Sequence, residues 1–154
     1  MITGMGVVAP NGVGVPAFLH AIKKGIAGTR FIPYYEELKF SCQVAGIPDF
    51  EWDDLKNYIS EVTFHGLKSR GIAYGIKAAL DAWRDAGLIT ETESTRWETG
   101  CVFGNSIADT EAMKNVITRV DNKEAKKLGS RVVEQAMNSG VTAYISGRLG
   151  LGIR

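Results

Sequence analysis

Thiols, imidazoles and carboxylates are the side chains from which nucleophilic and acid–base sites are built. Four candidates of the first two kinds stand in this chain: Cys42, Cys101, His20 and His65. Cys101 sits inside Gly100-Cys101-Val102-Phe103, an apolar run that reads as a strand, where a cysteine behaves as a small buried hydrophobe. Cys42 falls in another strand-like run with no histidine near it in sequence, which also points to a structural role. His20 belongs to the polar side of a helix and His65 to a loop or helix start, so both suit surface or capping positions. Glu36–Glu37 and Asp53–Asp54 are adjacent acids whose side chains diverge, and no further ligand stands at metal spacing, so no metal site is expected. A phosphate cradle is the remaining chemistry. Gly4-Met5-Gly6-Val7-Val8-Ala9 satisfies the G-x-G-x-x-G/A pattern that lets a pyrophosphate approach a helix N-terminus. Its context disagrees: Pro10-Asn11-Gly12 breaks the chain where a helix should open, and Lys23, Lys24 and Gly25 stand where a ribose-binding acid should be. A dinucleotide-binding module is therefore a remote alternative.

Composition narrows the class. The 154 residues are 45% hydrophobic and 23% charged, with a net charge of +1, the balance of a globular domain with a sizeable core. That charge argues against a nucleic-acid binder, and the run Lys123–Lys127, interrupted by Glu124 and Ala125, reads as a solvated face. No apolar stretch approaches the ~18 residues that span a bilayer. Met1 leads directly into a strand-like segment without signal-peptide character. Two distant cysteines suit a reducing compartment, and a cytoplasmic location is expected.

The elements that must position any site follow from periodicity and punctuation. Ile2 and Val7–Val8 form a strand stub ended by Pro10-Asn11-Gly12. Pro16 to Lys24 predicts a helix with Phe18, Leu19 and Ile22 on one face and Gly25 after its end. Phe40–Ile47 predicts a strand and Asp53–Ile59 a short helix. From Leu67 to Ala86, Ile72, Ile76, Leu80 and Trp83 form an apolar stripe ended by Gly87. Its many small residues, Gly71 and Gly75 among them, predict a buried central helix packed closely against another backbone. Thr99–Phe103 predicts a strand. Asp109 can cap a helix whose core face would be Met113, Val116, Ile117 and Val120. Ser130 to Met137 and Val141 to Leu149 predict two more helices, the second ended by Gly150. Strands alternating with helices imply a mostly parallel sheet in a layered α/β fold.

Ile2–Gly14, Lys24–Gly28, Val44-Ala45-Gly46, Asn57–Ser60, Ala79–Leu88, Gly104–Ile107, Ala136–Val141 and Gly150–Gly152 occur in that order along nearly the whole chain. Taken together, they resemble the amino-terminal part of the β-ketoacyl-[acyl-carrier-protein] synthases, the elongating condensing enzymes of fatty acid and polyketide synthesis. The resemblance implies an α/β fold of thiolase type, of which residues 1–154 would supply an incomplete first half. It also implies a decarboxylative Claisen condensation that needs no cofactor or metal. The partners it implies are an acyl carrier protein and either a second copy or another ketosynthase-like subunit, with no nucleic acid and no membrane span.

By the same resemblance, the family's nucleophilic cysteine falls about a dozen residues beyond the segment matching Gly150–Gly152, and two histidines and a lysine fall later still. No catalytic residue is assigned within this sequence, and the chain alone is expected to be inert. Ile107 and Met137 match positions lining the acyl-chain pocket near the dimer interface. The segment after Ser60, where the family carries basic residues for an acidic carrier, reads Glu61-Val62-Thr63-Phe64-His65-Gly66 here. Carrier docking through that segment is thereby weakened, and a non-catalytic chain-length partner is the alternative reading.

Overall fold

The computed structural model describes residues 1–88, 96–106 and 109–152. The chain enters extended and forms a hairpin, in which β1 (Val8–Ala9) pairs antiparallel with β2 (Gly12–Val13). α1 (Val15–Lys24) follows with Pro16 in its first turn, and Gly25 closes it at φ 66°. The Gly25 and Ile26 amides donate to the Ile22 and Ala21 carbonyls, which satisfies the last turn. Next come β3 (Thr29–Phe31), α2 (Pro33–Glu37) and β4 (Val44–Gly46), with β3 antiparallel to β4. A 3-10 segment, Trp52–Asn57, leads to α3 (Glu61–Gly66), whose first turn is capped by Ser60. The long α4 (Arg70–Asp85) is capped by Ser69 and α5 (Thr110–Asp121) by Asp109. A second 3-10 segment, Ala125–Lys127, precedes α6 (Arg131–Ala136) and α7 (Gly140–Leu149).

α4 is the expected buried central helix. Its Ile72, Ala73, Ile76 and Leu80 pack with Val141, Ile145 and Leu149 of α7 and with Leu55, Phe64 and Leu67. At Gly75 an added Cβ would lie 2.4 Å from Cγ1 of Val141, so this glycine admits the neighbouring helix. That contact offsets the ~1 kcal/mol an interior glycine costs. Gly71 differs, since its Cβ would meet nothing nearer than the Ser69 Oγ at 3.9 Å. Close packing explains Gly75 and not Gly71.

Four expectations require correction. The mostly parallel sheet is not found among the described residues: both named sheets are two-stranded and antiparallel, and the parallel pairing described is an isolated bridge between Arg96 and Leu151. Thr99–Phe103 lies outside any named strand, with Val102 wholly exposed. A strand is defined by its ladder, and apolar sequence alone cannot supply the partner. Phe40–Ile47 contracts to Val44–Gly46 because β3 offers only three residues to pair with, which leaves Cys42 exposed before the strand. Finally, the α5 stripe has helical spacing but is not core, with Met113, Ile117 and Val120 at 45%, 56% and 53% exposure. Periodicity identifies a face and does not say what covers it. None of the described helices is long and apolar enough to cross a membrane.

Candidate functional site

Of the two expected pocket residues, Ile107 lies outside the described residues, while Met137 sits at the C-terminal end of α6, half exposed. Met137 flanks a cavity of about 100 Å³ together with Asn105, Ser69, Asp109 and Gln135. The turn containing Asn105 and the end of α6 are thus brought together, as pocket-lining segments would need to be. The space is far below the ~300–1,000 Å³ of ordinary ligand pockets, so by itself it holds no long acyl chain.

A polar network absent from the sequence reading fixes this corner. Gln135 is only 4% exposed. Its Oε1 accepts the Lys68 and Ser69 amides at 2.7 and 3.2 Å, and its Nε2 donates to the Gly66 carbonyl at 3.0 Å. Ser69 Oγ accepts the Ile72 amide at 3.2 Å and donates to the Asp109 carboxylate, whose other oxygen accepts the Ala112 amide at 2.9 Å. One carboxylate therefore ties the first turn of α4 to that of α5, and one amide ties the α3–α4 connection to α6. Each buried polar atom is satisfied, the condition under which such a network is rigid. Asp109 is the cap expected from the sequence, Ser69 could have been found as one by its place before α4, and nothing in the sequence marks Gln135.

The opening glycines have a different use. A Cβ at Gly4 would lie 2.2 Å from the Ala82 carbonyl oxygen, and one at Gly6 would lie 1.9 Å from that of Ala78. The Met5 amide donates to Asp85 at 2.9 Å. The glycines let the entering segment lie directly on α4, so their bare faces are covered by protein and are not open to a pyrophosphate.

The candidate nucleophiles are also placed. Burial pushes the Cys101 thiol above its usual range, with a hydrogen bond to Ser146 opposing, which is the reverse of an activated thiolate. Cys42 and His20 are exposed, and His65 stands 3.6 Å from Glu61 on the exposed face of α3. No group of three or more potential metal ligands occurs among the described residues.

Positive charge absent from residues 61–66 reappears in space. Lys68, Arg119, Lys127 and Arg131, with His65, line a groove of about 410 Å³ between α3, α5 and α6. Glu124 partly offsets them through Lys127 at 2.5 Å and Arg119 at 3.7 Å.

The family model described as "Beta-ketoacyl synthase, N-terminal domain" matches residues 1–152. This chain belongs to the β-ketoacyl synthase family. A Streptomyces halstedii protein assigned as polyketide beta-ketoacyl synthase 1 is 30% identical over 115 residues, covering 75% of this chain and 26% of that protein. The 3-oxoacyl-[acyl-carrier-protein] synthase 2 of Vibrio harveyi is 28% identical over 153 residues, covering 98% of this chain and 35% of that one. The chain thus spans about a quarter to a third of the length of these relatives. In shape it is similar to a crystal structure of a β-ketoacyl synthase from Burkholderia phymatum STM815, with TM-score 0.81 at 22% identity, covering 99% of this chain and 37% of that one. That likeness shows the fold alone.

Proposed function

We infer that residues 1–154 are the amino-terminal region of a 3-oxoacyl-[acyl-carrier-protein] synthase, which condenses an acyl thioester with a malonyl carrier protein in fatty acid or polyketide synthesis, in the cytoplasm. The observation that carries this reading is the family match across residues 1–152. The condensation needs a thiolate to hold the acyl group and donors for the thioester oxyanion and the enolate formed on loss of carbon dioxide. Cys101 is neutral and half-buried and Cys42 has no base beside it, so neither supplies the thiolate. The catalytic groups then lie beyond the segment matching Gly150–Gly152, and this region shapes the protein around them. Met137 and Ile107 line the acyl pocket in this reading, with Gln135, Ser69 and Asp109 holding the corner from which Met137 projects.

The basic groove gives the carrier a docking place. An acidic carrier protein is steered by clustered cations, and Lys68, Arg119 and Lys127 supply them without help from Glu61–Gly66. The exposed α5 stripe, Met113, Ile117 and Val120, suits a second ketosynthase-like subunit. Sequencing the reading frame past Arg154 tests the assignment. A cysteine on the strand after Gly152 supports the synthase, whereas glutamine or another residue there makes the protein a chain-length partner without its own nucleophile.

A further inference from the structure

A groove that Met137 does not line has chemistry that the condensing reaction does not use. It has a volume of about 720 Å³ and lies between the Trp52–Asn57 segment, α6 and α7. That volume falls within the range of small-molecule sites. Lys56, Arg131 and Arg148 reach it from three separate elements, against the single carboxylate of Glu134, so three positive charges and one negative leave a lining of +2. Glu134 is itself engaged, accepting the Tyr144 hydroxyl at 2.8 Å. Lys56 also meets Asp53 at 3.0 Å, but that pair is largely exposed and weakly held. Ile59, Ala143 and the Tyr144 ring add apolar surface to the lining.

A glycine in the lining, Gly147, is the second, independent observation. Gly147 lies within α7, where glycine costs about 1 kcal/mol relative to alanine. The neighbouring glycines have a packing reason: a Cβ at Gly140 would lie 2.4 Å from the Glu134 carbonyl oxygen, and Gly75 faces Val141. A Cβ at Gly147 would meet nothing within 4 Å. Among the described residues no atom fills the space that Gly147 leaves open, and Gly147 lines the groove.

We propose that this groove binds a small organic phosphate: a dianionic head held by Lys56, Arg131 and Arg148, and an apolar body lying on α7 over Ala143 and Gly147. A phosphate dianion matches the +2 lining, and charge-assisted hydrogen bonds to such a head are the strong kind. The apolar surface distinguishes the ligand from free phosphate.

Calorimetric titration of the 154-residue chain with phenyl phosphate tests this, using inorganic phosphate and phenol as separate arms. The expected result is saturable one-site binding of phenyl phosphate, with each half-molecule at least ten-fold weaker. Gly147→Leu, whose Cβ would meet no described atom within 4 Å and whose branch would project into the groove, is expected to abolish binding while circular dichroism and the thermal midpoint hold. Gly147→Ala retains binding, and Lys56→Gln weakens it several-fold. Absence of saturable phenyl phosphate binding overturns the proposal. So does a Gly147→Leu variant that binds like the parent, and so does inorganic phosphate binding as tightly as its phenyl ester.

Discussion

Gln135 holds Ser69 across 66 residues of sequence, its Oε1 accepting the Ser69 amide at 3.2 Å while its Nε2 secures the Gly66 carbonyl at 3.0 Å. Ser69 in turn caps α4 and reaches Asp109, the cap of α5. The corner beside Met137 is therefore held by side chains that are themselves buried or tied, and its rigidity can be measured.

Gln135→Leu removes all three hydrogen bonds and strands the Ser69 amide in a buried site, with the Lys68 amide and Gly66 carbonyl only partly buried. A buried orphaned group costs about 1–3 kcal/mol, so urea unfolding should show a loss in that range. A loss under about 1 kcal/mol would mean that water replaces the amide and that the network does not fix the corner.

Gly6→Ala places a methyl group where the Ala78 carbonyl oxygen lies 1.9 Å away. The entering segment must lift off α4, at a cost of roughly 2 kcal/mol or more. Titration with NADPH should give no saturable binding to the parent chain. Tight binding would restore the dinucleotide reading of these glycines.

How much of this could be read beforehand depended on how local the signal was. α1, α4, α5 and α7 follow from Pro16, Asp109, Gly25, Gly87 and Gly150 with helical apolar spacing, all within a few residues of an end. At Gly87 the structure adds the expected closure, φ 71° with its amide donating to Arg84. α3 was missed although Ser60 stood three residues before Thr63, whose amide it caps. Strands were the weaker part, because Val44–Gly46 and Thr99–Phe103 depend on partners their own residues cannot specify. The site divided the same way. Met137 enters through resemblance and its pocket role is a proposal, Ile107 lies outside the described residues, and Gln135 acts through contacts nearly seventy residues away, which no local pattern records.

The α5 stripe leads to a test of assembly. Ile117 is 56% exposed, so Ile117→Glu should leave stability within about 0.5 kcal/mol. Light scattering should show the parent chain self-associating and the variant less so. A monodisperse monomer for the parent would contradict a partner on this face.

The two thiols should differ in reactivity. Iodoacetamide at pH 7.5, followed by mass spectrometry, should label exposed Cys42 at least ten-fold faster than Cys101, whose thiol is held protonated by burial. The sign of the pH effect follows from linkage. The folded state keeps the Cys101 proton longer than the unfolded state, so this group leaves stability unchanged below about pH 8.5 and reduces it as pH rises through the folded value. Cys101→Ala should flatten that alkaline decline, and an unchanged slope would assign it to other groups.

The central claim is that this chain is the amino-terminal region of a condensing enzyme and carries none of its reacting groups. Mass spectrometry of carrier-bound products, after incubation with acyl and malonyl carrier protein, tests it most directly. The 154-residue chain should form no 3-oxoacyl product, and the product of the whole reading frame should form it. Turnover by the 154-residue chain alone would contradict the account.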